Sequence, residues 1–92
     1  MNKRQRLKEA CHSMACLNKI ISSIESIGLN PDDNAFEGAL YGSFTGLMNI
    51  AMENLEFNDV SVENEVYNIL IEVTMDNFIE TAEEVWDKYG VE

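Results

Sequence analysis

The segment VYNILIEVT, residues 66–74, decides between a helical and a mixed fold. Its β-branched and aromatic residues are typical of a strand. However, apolar residues recur at intervals of three and four from this segment to the C-terminus, which is the pattern of one helix face. These residues are Tyr67, Leu70, Ile71, Thr74, Phe78, Ala82, Val85 and Tyr89. Because no other segment offers a strand partner, we predict one long helix over residues 61–89 and an all-α fold.

Two further helices are predicted before this one. Residues 3–27 carry an apolar stripe with the same spacing, and Gly28 suits the left-handed position that ends a helix. Asn30 and Pro31 then supply a cap and an N1 proline for a second helix over residues 31–55. Short connections make neighbouring helices antiparallel. The sequence therefore predicts a single domain over residues 1–92, an elongated antiparallel three-helix bundle.

The composition limits the classes of function. The chain has 92 residues, of which 46% are hydrophobic, and this favours a globular domain over disorder despite a formal net charge of −11. The sequence contains no apolar run that would span a membrane, and no signal-peptide core follows the basic N-terminus. Cys11 and Cys16 would point about 140° apart on a helix, too far round to form a disulfide. We expect a soluble cytoplasmic protein with no membrane partner.

Charge is distributed unevenly along the chain. Residues 1–19 carry five cations and one carboxylate, a net charge of +4, whereas residues 20–92 carry sixteen carboxylates and one cation, a net charge of −15. In an antiparallel bundle the basic segment would lie beside one group of acids and partly neutralise it: Glu53, Glu56, Asp59, Glu63 and Glu65. The opposite end would gather a second group: Glu25, Asp32, Asp33, Glu37, Glu80, Glu83, Glu84 and Asp87.

The acids of the predicted third helix form the most specific pattern. Glu72, Asp76, Glu80 and Glu84 recur every four residues, with Glu83 and Asp87 on the same side. Four residues of helix rise about 6 Å, which is comparable to the separation of phosphates along one DNA strand. Such a row would present carboxylates to lysines and arginines that normally bind phosphate. A solvated helix face without a binding role would contain the same residue types.

Two stripes suggest a second packing surface. Val62, Val66, Ile69 and Val73 lie nearly opposite the apolar stripe of the third helix, and Gly38, Gly42 and Gly46 line the back of the second. Each glycine costs about 0.5–1 kcal/mol relative to alanine inside a helix, unless another backbone approaches closely. Either the third helix is sandwiched within the monomer, or the chain self-associates through one or both stripes. Because three helices do not easily cover both faces of two of their members, a homodimer is favoured.

The sequence offers no catalytic or metal-binding motif. A zinc site requires about four ligands, and His12 is the single histidine. A di-iron bundle uses two Glu-x-x-His motifs, and the sequence contains one, from Glu9 to His12. Phosphate-binding glycine loops and nucleophile triads are absent from the sequence. Direct binding to nucleic acid is disfavoured, because the acidic surface would repel phosphate. We therefore expect a binding protein that is not an enzyme and that uses no cofactor.

In character, residues 20–92 resemble the small DNA-mimic, anti-restriction proteins of bacteriophages. The tail from Tyr67 to Tyr89 looks like the acidic helices of the Ocr class, and the size and charge are similar to those of the Arn class of T-even phages. The resemblance implies a homodimer that inhibits a DNA-binding protein in the host cytoplasm, either a restriction nuclease or a nucleoid protein. The alternative is a helical adaptor or chaperone, which would hold a partner helix in an apolar groove at the glycine or valine stripe.

Overall fold

Four α-helices form the part of the chain that the structure describes. The computed structural model covers residues 2–30, 34–53, 55–57 and 59–90, with the backbone alone for residues 34–37. The helices are α1 (Lys3–Ser26), α2 (Asn34–Glu53), α3 (Val60–Ile71) and α4 (Phe78–Tyr89). These residues contain no strand, only an isolated bridge between Leu55 and Gly90. The predicted all-α fold is confirmed. No described helix combines the length and the apolar character that a membrane span requires.

The first helix agrees closely with its predicted bounds. Asn2 caps α1, because its side-chain oxygen accepts a hydrogen bond from the Gln5 amide at 2.8 Å. Gly28 follows the helix with φ of 86°, the left-handed conformation expected of a C′ glycine. The predicted start of the second helix, residues 31–33, lies outside the described residues. Its observed end is Glu53, two residues before the predicted one.

The single helix predicted over residues 61–89 is wrong, because α3 and α4 are separate helices. Between them, Thr74 and Asn77 close a turn on each other. The Thr74 amide donates to Asn77 Oδ1 at 2.8 Å, and the Asn77 amide donates to the Thr74 carbonyl at 3.2 Å. The Asn77 side chain thus competes with helical hydrogen bonds for a backbone amide, as asparagine side chains do in turns. The described residues therefore form four helices, where the sequence predicts three.

A side chain of α1 supports this break. Asn18 donates from its amide nitrogen to the carbonyl oxygen of Val73 at 2.8 Å and to that of Ile71 at 3.3 Å. Carbonyls at a helix end lack intrahelical partners and must be satisfied elsewhere. Asn18 meets this requirement and ties the α3–α4 turn to the middle of α1.

The break reverses the chain, so α4 runs antiparallel to the first half of α1. The Phe78 ring at the start of α4 lies 4.8 Å from the His12 ring, and Glu83 lies beside Arg4. The segment after α2 arrives at the same end of the molecule, where the Glu56 amide donates to the Tyr89 carbonyl at 3.3 Å. The first half of α1 is thus covered by several elements.

The buried core draws on all four helices. Its members are Leu7, Ala10, Cys11, Met14, Ala15, Phe44, Met48, Ala51, Leu55, Val66, Leu70, Val73, Ala82, Val85 and Trp86. On α3 the predicted inward residue Tyr67 is 43% exposed, whereas Val66 is fully buried. The buried face of α3 is rotated from the predicted one. A continuous helix would bury one face along its whole length, whereas the break lets α3 and α4 bury different faces. The described residues measure 43 × 26 × 21 Å.

Candidate binding surfaces

One carboxylate of α4 is neutralised by the start of α1. Glu83 Oε1 lies 3.5 Å from Lys8 Nζ and 3.7 Å from Arg4 Nη2. The sequence predicts that this basic segment pairs with a different group of acids. No member of that group forms an ion pair within the described residues: Glu53, Glu56, Asp59, Glu63 and Glu65. The ion pairs of the basic segment are instead formed with α4, because the reversed α4 lies beside the start of α1.

The acids predicted at the opposite end of the bundle are not gathered there. Glu25 lies in the last turn of α1, whereas Glu83 contacts Lys8, about 25 Å away along the helix axis. Glu80, Glu84 and Asp87 belong to the same helix as Glu83. The break accounts for this separation also, since it directs the end of α4 toward the start of α1. Asp32, Asp33 and the side chain of Glu37 lie outside the described residues.

The predicted row of acids is bent at the α3–α4 turn. Glu72 caps the end of α3, Asp76 lies within the turn, and Glu80 and Glu84 occupy successive turns of α4. The spacing of about 6 Å between helical turns therefore applies to Glu80 and Glu84 alone. A straight row of four carboxylates does not exist, because the residues belong to two helices and the loop between them.

Most described carboxylates nevertheless remain exposed and unpaired. Glu83 is half-buried, and every other acidic side chain that the structure describes is exposed. Besides Glu83, one further acid forms an ion pair in this part of the chain: Glu84, with Lys88 at 3.4 Å. The turn and α4 thus present four carboxylates to solvent without an ion-pair partner among the described residues: Glu72, Asp76, Glu80 and Asp87.

The valine stripe of α3 does not form an outer surface. Val66 and Val73 are among the largest fully buried side chains, and Val62 and Ile69 are half-buried. Their apolar atoms pack within the monomer core, the first of the two arrangements that the sequence leaves open. A partner helix or a second copy therefore has no access to the centre of this stripe.

The glycine stripe of α2 is open. Apart from the adjacent residues and the backbone of α2 itself, a Cβ atom added at Gly38, Gly42 or Gly46 would meet no atom of the described residues within 4 Å. No backbone of the described chain approaches these glycines, so intramolecular packing does not explain them. The surrounding surface is uncharged, because residues 38–52 contain no Asp, Glu, Lys or Arg in a chain that is 25% charged. It also exposes apolar side chains, with Tyr41 at 40% and Ile50 at 47% exposure.

An open groove of about 620 Å³ runs between α1 and α2 beside this glycine stripe. Leu17 and Ile20 line it from α1, and Gly46, Leu47 and Ile50 line it from α2. Its wall is mostly apolar and carries no carboxylate. The sequence predicts the glycine side of this groove. Which residues of α1 line the other side depends on how the two helices are rotated relative to each other, and residue spacing within each helix does not give that rotation.

The two cysteines have different environments, and both are free thiols. Cys11 is fully buried, and this burial raises the pKa of its thiol to about 12. A thiol with so high a pKa stays protonated and unreactive at neutral pH. Cys16 is half-buried at the edge of the groove.

Comparisons with protein-family models, curated proteins and solved structures find no significant match to this chain. Its function must therefore be inferred from the two surfaces themselves: the carboxylates of the turn and α4, and the uncharged face of α2.

Proposed function

We propose that this protein is an acidic DNA mimic, not an enzyme, which binds and inhibits a DNA-binding protein of a bacterial host. A restriction nuclease or a nucleoid protein is the expected target, and the host cytoplasm is the site of action. One observation supports the proposal most directly: four exposed carboxylates of the turn and α4, those of Glu72, Asp76, Glu80 and Asp87, have no ion-pair partner within the described residues, in a chain of net charge −11.

Unneutralised carboxylates are unfavourable for the folded chain by itself. Asp87 lies near the C-terminal end of α4, where the helix dipole is negative and carboxylates are disfavoured. Like charges in neighbouring helical turns also repel each other, by a few tenths of a kcal/mol per pair. A partner with a basic groove would relieve both effects, since its lysines and arginines would supply the missing counter-charges.

The mimicry rests on the density of charge along a bent surface. Glu80 and Glu84 keep the separation of about 6 Å, although Glu84 also pairs with Lys88 in its own helix. Glu72 and Asp76 extend the charge onto the adjoining turn. The basic segment neutralises Glu83, so this residue supports the fold and is not proposed as a phosphate substitute. The resemblance to phage DNA mimics agrees with this interpretation in size, charge and helical character.

We further propose that the active form is a homodimer that associates through the glycine stripe of α2. Two chains of net charge −11 repel each other strongly, and repulsion is weakest where the meeting surfaces carry no charge. The stripe and its neighbours provide such a face. Helices that cross at glycines approach closely, which would offset the helix-propensity cost of three glycines in an exposed face.

Neutral substitutions that keep side-chain size test the mimic directly. The test variant combines Glu72→Gln, Asp76→Asn, Glu80→Gln and Asp87→Asn. A control with the same change in net charge combines Glu53→Gln, Glu56→Gln, Glu63→Gln and Glu65→Gln. Each protein is immobilised and exposed to bacterial lysate at low salt, and retained proteins are eluted with a salt gradient or with duplex DNA.

We expect the unmodified protein and the control to retain DNA-binding proteins that duplex DNA releases, and the test variant to lose them. Retention should also weaken steeply with salt, because it depends on charge. The mimic hypothesis fails if the test variant retains the same proteins as the control, provided that both have the helical circular dichroism of the unmodified chain.

The open groove favours a second candidate, a helical adaptor or chaperone that binds an apolar partner helix. Leu17, Ile20 and Ile50 would supply the apolar contacts. This function predicts binding that is insensitive to salt and to the carboxylate substitutions but is lost in Ile50→Asp. The mimic predicts the opposite response to salt and to the substitutions.

A further inference from the structure

Three donor atoms converge where the α3–α4 turn meets α1. Cys16 Sγ lies 3.9 Å from His12 Nε2 and 3.8 Å from Met75 Sδ. His12 and Cys16 are one helical turn apart on α1, and Met75 belongs to the turn, 59 positions after Cys16. The sequence predicts no metal site because it offers few cysteines and histidines. A methionine thioether is absent from such a count, and this one reaches the site only through the break between α3 and α4.

The separations suit a single shared ion. With metal–sulfur bonds of about 2.3 Å and metal–nitrogen bonds of about 2.0 Å at roughly 110–120°, two sulfur ligands are about 3.8–4.0 Å apart, and a sulfur and a nitrogen ligand are about 3.5–3.7 Å apart. The distance from Cys16 to Met75 falls in the first range, and the distance from Cys16 to His12 is slightly longer than the second. An ion bound by Cys16 and Met75 would therefore draw the His12 ring a short distance toward Cys16.

The donor set selects the class of metal. The thiolate and the thioether are soft ligands that favour Cu(I) over hard cations such as Mg²⁺ or Ca²⁺, and an imidazole also suits copper. Among the described residues, no three His, Cys, Asp or Glu side chains cluster as a zinc site would require. The site is open to solvent, since His12 and Met75 are exposed and Cys16 is half-buried.

Neighbouring contacts hold the donors in place. The hydrogen bonds of Asn18 to the carbonyls of Val73 and Ile71 fix the start of the turn that carries Met75. The contact with the Phe78 ring orients the His12 imidazole. Supporting contacts of this kind tune metal affinity by positioning the ligands.

We propose that His12, Cys16 and Met75 bind one soft monovalent cation, Cu(I), between α1 and the α3–α4 turn. Binding forms a metal–thiolate bond at Cys16 Sγ and releases the thiol proton to solvent, with no change of oxidation state. This site is independent of the carboxylate surface and of the DNA-mimic function.

Silver nitrate in chloride-free buffer provides a redox-inert probe. Isothermal titration with a competing thioether ligand gives the affinity, and X-ray absorption at the silver edge gives the ligand atoms. We expect one high-affinity ion per chain, bound by two sulfur atoms and one nitrogen atom. Met75→Leu and His12→Gln should each weaken binding at least tenfold, and Cys16→Ser should abolish it. Cys11→Ala should leave both stoichiometry and affinity unchanged.

Silver also binds isolated thiols, so the methionine variant is decisive. If Met75→Leu binds silver as tightly as the unmodified chain, or if the absorption spectrum shows a single sulfur ligand, Cys16 acts alone and the proposal is overturned. Loss of the ion in Cys11→Ala would assign it to the core thiol and would also overturn it. Circular dichroism of each variant checks that the helices remain formed.

Discussion

Replacing Gly42 with leucine should stabilise the monomer while it disrupts the dimer. The position lies within α2 and is open, because a Cβ atom added there would meet no atom of the described residues within 4 Å apart from the adjacent residues and the backbone of α2. Leucine has a high helix propensity, so the isolated chain should gain about 0.5–1 kcal/mol of unfolding free energy. For a domain of this size the gain raises Tm by about 2–8 °C. In a dimer that packs on the glycine stripe, the same side chain would separate the two helices.

Measurements of Tm at different protein concentrations separate the effect on the monomer from the effect on the dimer. We expect the Tm of the unmodified protein to rise between about 5 and about 500 µM, since dimerisation adds up to roughly 1.4 kcal/mol of stability per chain over a hundredfold range, half of about 2.7 kcal/mol per dimer. The Tm of Gly42→Leu should not change with concentration, and at the dilute limit it should exceed that of the unmodified protein. Sedimentation equilibrium should give twice the chain mass of 10.4 kDa for the unmodified protein and the single chain mass for Gly42→Leu.

A matched control is available on another helix. Asn64 is exposed on α3, so Asn64→Leu adds helix propensity without touching the glycine stripe. It should raise Tm and preserve the concentration dependence. If the unmodified protein has a mass of 10.4 kDa and a constant Tm over the whole range, the glycine stripe is a free surface and the reasoning is refuted.

Three further predictions concern the monomer. Asn18→Ala should lower the unfolding free energy by about 1–3 kcal/mol, because the Val73 carbonyl loses its hydrogen-bond donor. An unchanged unfolding free energy in chemical denaturation would contradict this. Gly90→Ala should be destabilising, unlike substitutions in the glycine stripe of α2, because the alanine Cβ would collide with the Trp86 indole. An unaltered Tm would show that the end of α4 moves aside. Between pH 8 and 10 the unmodified protein should lose about 1.4 kcal/mol more unfolding free energy than Cys11→Ala. The reason is that the Cys11 thiol of the unfolded chain ionises around its ordinary pKa of 9.0, whereas the folded thiol, with a pKa of about 12, stays protonated. Equal losses in the two proteins, measured by urea denaturation, would exclude this effect.

The helical class and the first helix follow from the sequence because local signals determine them. The stripe from Leu7 to Met14 gives the buried face of α1, and the Asn2 cap and Gly28 lie at its ends. The break between α3 and α4 does not follow in the same way. Apolar residues continue at helical intervals through residues 72–77, so periodicity alone predicts an uninterrupted helix. A tertiary contact from Asn18, more than fifty positions away, supports the turn.

This missed break also decides how much of the candidate surfaces was predictable. Composition alone gives a strongly acidic surface and three glycines on an uncharged face. Which carboxylate is neutralised depends on the direction of α4, since reversal brings Glu83 to Lys8 and Arg4. The same reversal brings Met75 to Cys16. The signal for the turn was present in Asp76 and Asn77, residues typical of helix starts and turns, but it competed with a longer apolar pattern.

The short hairpin of α3 and α4 leaves the molecule unequally protected against local opening. All buried residues of α1 lie between Leu7 and Ala15, while Ile27 and Leu29 at the far end are 73% and 46% exposed. Amide protons in the last turns of α1 should therefore exchange with solvent by local fraying, at a lower free energy than those near Met14, which require global unfolding. Native-state hydrogen exchange should divide α1 into two cooperative units, with the boundary near Asn18. The two ends of one continuous helix would then differ in how often they open.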